Sequence, residues 1–223
     1  MGGGSGRRYG QPKQYAQLDD ERVIDRSRRI AAAVSDGVVL VVPAADVERE
    51  SGVAGGDTRS ASVRAGLSAV PDDALIICIH DAARPLASVR LYRSVIEAVQ
   101  AGADAAIPGI SVDDTIKVVD PSGRVIETPD RSTLFAVQTP QAFRASALRA
   151  AHAGGDEATD DASLVEADGG IVVVVAGEAN NRKITHPDDL DWARSVVIAA
   201  DTDRRIDDAI DDAIDSEWLG GRQ

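Results

Sequence analysis

"LIICIHDAARP", residues 75–85, contains the change of character that decides the fold. Leu75 to Ile79 is a short continuous apolar run with no polar alternation. Such a run reads as a strand buried on both faces. It breaks off at His80-Asp81, and Arg84-Pro85 follows. In open α/β sheets, ligands sit beyond the carboxyl ends of the strands, so a loop bearing Asp81 and Arg84 there is a candidate site. An acid in that place can hold a hard cation such as Mg2+. The plain alternative is Asp81 as a cap with Arg84 as its ion partner.

Outward from this stretch, Val38 to Val42 and Ile171 to Val175 read as two more buried strands, and Ala105 to Pro108 as a short one. Between them, Thr58 to Leu67, Ser88 to Ala101, Gln141 to Ala153 and Pro187 to Ala200 have helical spacing or caps. The apolar and polar residues of 116–126 flank the turn Asp120-Pro121-Ser122-Gly123, which predicts a hairpin. Strands alternating with helices give an α/β class with a mostly parallel sheet, and the hairpin projects from it as an arm. The main body is expected over 1–200, with the β-arm at about 110–130. An acidic tail follows over 201–223, where Ile206, Ile210 and Ile214 recur among Asp and Arg.

The chain has 223 residues, 43% hydrophobic but only 3% aromatic, so aliphatic side chains must fill the core. Its net charge of -13 excludes a general nucleic-acid or anionic-membrane binder, which needs a basic face. A small phosphorylated substrate needs only a local cluster of cations. The one cysteine, Cys78, lies inside an apolar run and reads as a buried small hydrophobe, which fits a cytoplasmic protein without disulfides. No apolar run approaches transmembrane length.

Other stretches carry candidate chemistry. "GGGSGRRYGQPKQY", residues 2–15, puts Gly4, Ser5 and Gly6 before Arg8 and Lys13: backbone N–H groups that approach an anion, and cations that neutralise it. It matches neither the Walker loop nor the dinucleotide fingerprint. "GGDTRSASVRAGL", 55–67, offers Gly56, Asp57 and Ser62. Thr115 and Lys117 in "DDTIK", Arg131 in "PDRST", Thr139 in "QTPQ", Thr159 in "TDDAS" and Lys183 in "NNRKIT" recur at expected loop positions. Singly, each is an ordinary surface residue.

In order, these segments resemble the 2-C-methyl-D-erythritol 4-phosphate cytidylyltransferase family of the non-mevalonate isoprenoid pathway. The resemblance rests on "GSGRRYGQPKQY", "GGDTRSASVRAGL", "HDAARP", "DDTIK", "TPQAF" and "TDDASLVEADGGIVVVVAGEANNRKITHPDDL". It implies a Rossmann-like nucleotidyltransferase fold, a homodimer formed through the β-arm, CTP as co-substrate and Mg2+ as cofactor. Arg8, Lys13 and Lys183 would then stabilise charge on the reacting phosphates. Gly4, Ser5, Gly6, Gly56, Asp57 and Ser62 would contact the nucleotide. Asp81, Arg84, Thr115, Arg131, Thr139 and Thr159 would serve the methylerythritol phosphate, Asp81 also at the metal. A ribitol 5-phosphate cytidylyltransferase and an inactive nucleotide-binding homologue are the competing readings.

The family begins with an apolar strand ending in Pro-Ala-Ala-Gly, and here Met1-Gly2-Gly3 stands in its place. The expectation is that both neighbours of that strand keep unpaired backbone groups and that apolar burial is lost. A misassigned or altered start is the first explanation, ahead of a chain that folds in this form.

Overall fold

The computed structural model describes residues 1–3 and 12–202. Its centre is a five-stranded sheet with the path Val172–Ala176, Ala105–Ser111, Gln141–Arg144, Ile76–Ile79; Phe135–Val137 also pairs with Ala105–Ser111. Val172–Ala176 lies parallel to Ala105–Ser111, starting from Val172 opposite Ala105. Gln141–Arg144 runs antiparallel to both of its neighbours, with Ala142 opposite Cys78 on one side and Ala106 on the other. Phe135–Val137 is antiparallel as well.

The sheet is therefore mixed, and the expected mostly parallel sheet is corrected. The cause is local. The stretch 141–153, expected as one helix, divides into the strand Gln141–Arg144 and the helix Ala145–Ala153. In Gln141-Ala142-Phe143-Arg144 the first three residues are buried, as a central strand requires, and four residues are too few to show a period.

Strand alternation divides the core. Ile77, Ile79, Ala105, Ile107 and Phe143 face one side, against Val63 and Leu67 of the helix Arg59–Leu67, Leu148 of Ala145–Ala153 and Val165 of Asp161–Ala167. Ala106, Ala142 and Cys78 face the other, where Val95 and Val99 of the helix Val89–Gln100 cover them. The expected burial on both faces is corrected: Ile77 and Ile79 are buried while Ile76 and Cys78 are half-buried, and Val172–Ala176 has no buried residue, with Val174 47% exposed. Ser88 and Thr58 cap their helices by accepting from the N–H groups of Leu91 and Ala61. Val118–Val119 and Val125–Glu127 form an antiparallel hairpin about Gly123, whose φ of +84° suits a residue without Cβ. A helix over 187–202 packs Leu190, Ala193 and Val197 on Leu18, Val23 and Ile184. No helix among the described residues is long and apolar enough to cross a membrane.

The amino-terminal region is built differently. Of the expected strand Val38 to Val42, only Val41–Val42 is extended and paired, parallel to Val53–Ala54, in a two-stranded sheet of its own. Met1 and Gly2 lie between that piece and the main sheet. The Met1 nitrogen donates to the His80 carbonyl at 2.7 Å, and the Ala82 N–H donates to the Met1 carbonyl at 3.0 Å. The Gly2 N–H donates to the Val41 carbonyl at 2.7 Å. Beyond Met1, residues 34–41 and 74–80 face each other across a cavity of about 1000 Å³. The short assignment at Val38–Leu40 follows, because a strand is defined by its ladder and this one has a partner only at its end. The isoleucine stripe at Ile206, Ile210 and Ile214 lies outside the described residues.

Candidate functional site

Asp81 lies just past Ile79, at the carboxyl end of its strand, as the sequence places it. A chain of hydrogen bonds fixes its backbone. The Asp81 N–H donates to Thr139 Oγ1 at 3.0 Å, and Thr139 Oγ1 lies 3.1 Å from His80 Nδ1. His80 Nε2 is 3.1 Å from the Arg84 carbonyl, which can only accept. The proton of His80 therefore sits on Nε2, and Thr139 donates to Nδ1. Burial, reinforced by the Met1 ammonium, pushes His80 down to about 3, so it is neutral in this chain of bonds. Thr139 is buried, and its role here is to hold Asp81 and His80 in register.

The Asp81 carboxylate points to Lys183, with Nζ 2.5 Å from Oδ2. Burial works to raise the Asp81 carboxyl, but the Lys183 ammonium outweighs it and holds the group at about 2. Lys183 comes from the segment after Val172–Ala176, 102 residues away in sequence. Arg84 donates through Nη1 to the Asn181 carbonyl at 2.7 Å, while its Nε is buried without a partner. Burial lowers its pKa. Arg84 and Lys183 line one open cavity of about 450 Å³, together with Gln138, Arg182 and His186. The last three lie inside stretches quoted above, Gln138 in "QTPQ" and Arg182 and His186 in the segment 159–190, but none of them is a candidate in the sequence analysis. Arg182 stacks 4.4 Å over the Trp192 ring and lies 3.6 Å from Asp189. In the sequence, only its neighbour Lys183 points to it.

A second group gathers at the start of the helix Arg59–Leu67. Ser62 Oγ accepts from the Gly56 N–H at 3.1 Å and donates to the Thr58 carbonyl at 2.8 Å. The hydroxyl expected on a ligand is thus turned into the loop, where it shapes the Gly55-Gly56 approach. A Cβ on Gly56 would come within 2.6 Å of the Ala61 Cβ, which is why this tight turn carries glycine. Asp57 is exposed beside it. Arg59, inside the 55–67 stretch but not among its candidates, pairs at 2.6 Å with the fully buried Asp161. Asp161 also accepts from His152 at 3.0 Å, so three helices meet in one polar knot. Arg59 acts on Asp81 electrostatically, which links this group to the first.

The remaining candidates do not all converge within this chain. Thr115 and Arg131 lie by the hairpin, exposed, with Arg131 donating to the Asp113 carbonyl. Thr159 is exposed, one residue beyond Ala158, whose N–H reaches Ser60 Oγ at 3.3 Å. Lys13 opens the short turn Lys13–Tyr15. Gly4, Ser5, Gly6 and Arg8 lie outside the described residues. Among the described residues, no three His, Cys, Asp or Glu side chains converge as a metal cage. A Mg2+ that keeps its waters and binds substrate phosphates needs only one or two carboxylates, and Asp81 at the strand end fits that demand. Cys78 is driven up to about 12 by burial, an inert thiol as expected.

Comparison with known proteins gives one consistent result. The family model for 2-C-methyl-D-erythritol 4-phosphate cytidylyltransferase matches residues 1–199. The enzyme of that name from Rhodococcus jostii (strain RHA1) is 44% identical over 207 residues, covering 87% of this chain and 91% of that one. The bifunctional enzyme IspD/IspF of Anaeromyxobacter dehalogenans (strain 2CP-C) is 42% identical over 217 residues, covering 88% of this chain and 55% of that longer one. The crystal structure of 4-diphosphocytidyl-2C-methyl-D-erythritol synthase from Anaerococcus prevotii DSM 20548 superposes with a TM-score of 0.78 at 28% identity, covering 88% of this chain and 94% of that one.

Proposed function

The chain belongs to the 2-C-methyl-D-erythritol 4-phosphate cytidylyltransferase family, and we propose that its reaction runs through the Asp81–Lys183 pair and the cavity beside it. The activity is transfer of CMP from CTP to 2-C-methyl-D-erythritol 4-phosphate, giving the CDP-linked methylerythritol and pyrophosphate. The observation that carries the site assignment is the 2.5 Å pair at the carboxyl end of the strand Ile76–Ile79, next to Arg84 and Thr139.

The chemistry asks little of a protein nucleophile. A phosphate oxygen of the acceptor attacks the α-phosphorus of CTP, the new P–O bond forms, and the bond to the β-phosphate breaks with its electron pair leaving on pyrophosphate. A phosphate monoester is already mostly ionised near neutral pH. The protein must align two polyanions that repel each other and stabilise the crowded α-phosphate. Lys183 and, from the amino-terminal stretch, Arg8 and Lys13 supply positive charge to the reacting phosphates. Arg84, with an unpartnered buried Nε, offers a donor to the acceptor phosphate. Gly4, Ser5, Gly6, Gly56, Asp57 and Ser62 frame the nucleotide, Ser62 by holding the Gly56 loop. Asp81 would hold a Mg2+ ion, which would supply further charge neutralisation at the phosphates.

The hairpin residues Val118, Val119, Val125 and Ile126 are exposed and apolar, which supports the reading of an arm that dimerises. In such a homodimer Thr115 and Arg131 reach the acceptor across the interface, and Thr159 completes the site. A single inert cysteine supports a cytoplasmic setting.

The test is pyrophosphate release from purified protein with CTP, Mg2+ and methylerythritol 4-phosphate, with ribitol 5-phosphate in parallel. Release with methylerythritol phosphate alone is expected. Release with ribitol phosphate alone would assign the other acceptor, and CTP binding without release would mark an inactive homologue.

A further inference from the structure

The open cavity of about 450 Å³ carries two guanidinium groups, Arg84 and Arg182, beside the Lys183 ammonium. Arg84 and Lys183 have parts in the proposed reaction. Arg182 has none so far, and its setting differs from that of an ordinary surface arginine.

The backbone around Arg182 is held on both sides. Asn181 is fully buried, and its side-chain amide donates to Gln138 Oε1 at 3.2 Å and to the Thr139 carbonyl at 2.8 Å. On the other side, the Ile184 N–H donates to the Ala83 carbonyl at 2.8 Å. Arg182 and Lys183, between these anchors, are thereby fixed to the loop that carries Asp81 and Arg84. Arg84 Nη1 bonds the Asn181 carbonyl at 2.7 Å, and that carbonyl belongs to the peptide group leading into Arg182. The Arg84 head therefore sits against the backbone of Arg182.

The Arg182 side chain is placed without being saturated. Its Cζ lies 4.4 Å from the centroid of the Trp192 ring. Stacking orients a guanidinium and leaves the N–H groups at its edge able to bond. The nearest carboxylate does not use them up. Asp189 Oδ1 is 3.6 Å away, whereas a closed arginine–carboxylate pair lies at about 2.8 Å. Asp189 Oδ2 is committed to the N–H groups of Thr185 and His186, each at 2.8 Å.

The ligand chemistry follows from charge. A phosphate monoester carries about 1.5 to 2 negative charges at pH 7. Lys183 shares its charge with Asp81 at 2.5 Å. Arg84 bonds neutral carbonyls, of Asn181 and Val137, and its Nε is buried without a partner. One guanidinium leaves such a dianion half neutralised, and a second one on the same wall completes it.

We propose that Arg182 is a second guanidinium on the acceptor's phosphate, gripping it together with Arg84 and favouring a phosphorylated acceptor over the bare polyol. The inference rests on the assignment of the acceptor to this cavity.

The test is calorimetric binding of methylerythritol 4-phosphate to the parent chain and its variants, alone and saturated with CMP, together with KM for the acceptor and for CTP. Arg182→Gln is expected to weaken acceptor binding and raise the acceptor KM about tenfold or more, the factor of about one charge-assisted hydrogen bond, with KM for CTP unchanged. Arg194→Gln removes the same charge outside the cavity, where Arg194 serves Asp191 and the Gln17 carbonyl, and is expected to change neither. Unchanged acceptor affinity in Arg182→Gln, or an equal loss in Arg194→Gln, overturns the proposal. If Arg84→Gln still weakens binding in that case, the cavity stands as the acceptor's place. If Arg84→Gln has no effect either, or the parent chain binds no acceptor, the cavity assignment falls and the proposal with it.

Discussion

Val38-Val39-Leu40-Val41-Val42 and Ile171-Val172-Val173-Val174-Val175 are almost the same sequence, and they meet different fates. The second gives the five-residue strand Val172–Ala176, paired along its length to Ala105–Ser111. The first gives two paired residues, with Val38, Val39 and Leu40 beside a cavity. β-branched residues fit a pleated, half-buried surface, but the ladder is made by the neighbour. Intrinsic preference is equal in the two runs, so the difference measures what a partner strand contributes.

The largest effect that sharpens this contrast is expected at Phe143, fully buried on a strand with partners on both edges. Phe143→Ala is expected to cost about 4 kcal/mol in denaturant unfolding, the usual range for emptying a tight aromatic site. A loss under about 1 kcal/mol would show that the paired half is no better packed than the other.

The site itself rests on the well-paired half, so its residues can be tested without unfolding it. Lys183 is 43% exposed in its side chain. Lys183→Ala is expected to lower kcat for pyrophosphate release by about a hundredfold, as loss of one transition-state donor does, with an unchanged melting temperature. Wild-type turnover would remove Lys183 from the reaction.

His80 joins the two halves, since its carbonyl holds Met1 and its ring holds Thr139. Its folded pKa, about 3, lies below the ordinary 6.5. Below pH 6.5 the unfolded chain takes up a proton that the folded chain refuses. The stability tied to neutral His80 is whole above pH 6.5 and drains away as pH falls toward 3. One proton corresponds to about 1.4 kcal/mol per pH unit. The His80→Gln variant is expected to show a shallower fall of stability between about pH 6 and pH 4. Parallel profiles of variant and parent would mean that His80 titrates freely.

The smallest effect belongs to the cavity wall. Val39→Ala is expected to change stability by no more than about 0.5 kcal/mol, the scale of a residue without tight neighbours. A loss of about 1.5 kcal/mol or more would show that Val39 is tightly packed although its run is paired only at its end.

Much of the fold is legible in the residues themselves. The break after Ile79 and the run at 171–175 are visible because apolar, mostly β-branched residues follow one another and then stop, although the strand at 172–176 is half-buried to exposed. The caps at Thr58 and Ser88 announce their helices through side chains that compete for the first N–H groups. The helix Val23–Ala32 gives no such signal, because Arg26, Arg28 and Arg29 crowd its exposed side and leave only Val23 and Ile24 deeply buried among its apolar residues. Arg59 is silent for another reason. An arginine in a polar stretch gives no sign that Asp161, about a hundred residues on, is buried to receive it.

The sequence alone determined the α/β class, the positions of the main strands and helices, and through its ordered motifs the family. Those properties follow from local periodicity, capping and composition. Only the tertiary structure decided that Gln141–Arg144 runs against its neighbours, that Lys183 meets Asp81, and that one valine-rich run pairs fully while its twin does not. Strand direction and ion pairing are set by groups far apart in the chain, and a hydrogen-bond ladder exists only where a second backbone lies alongside.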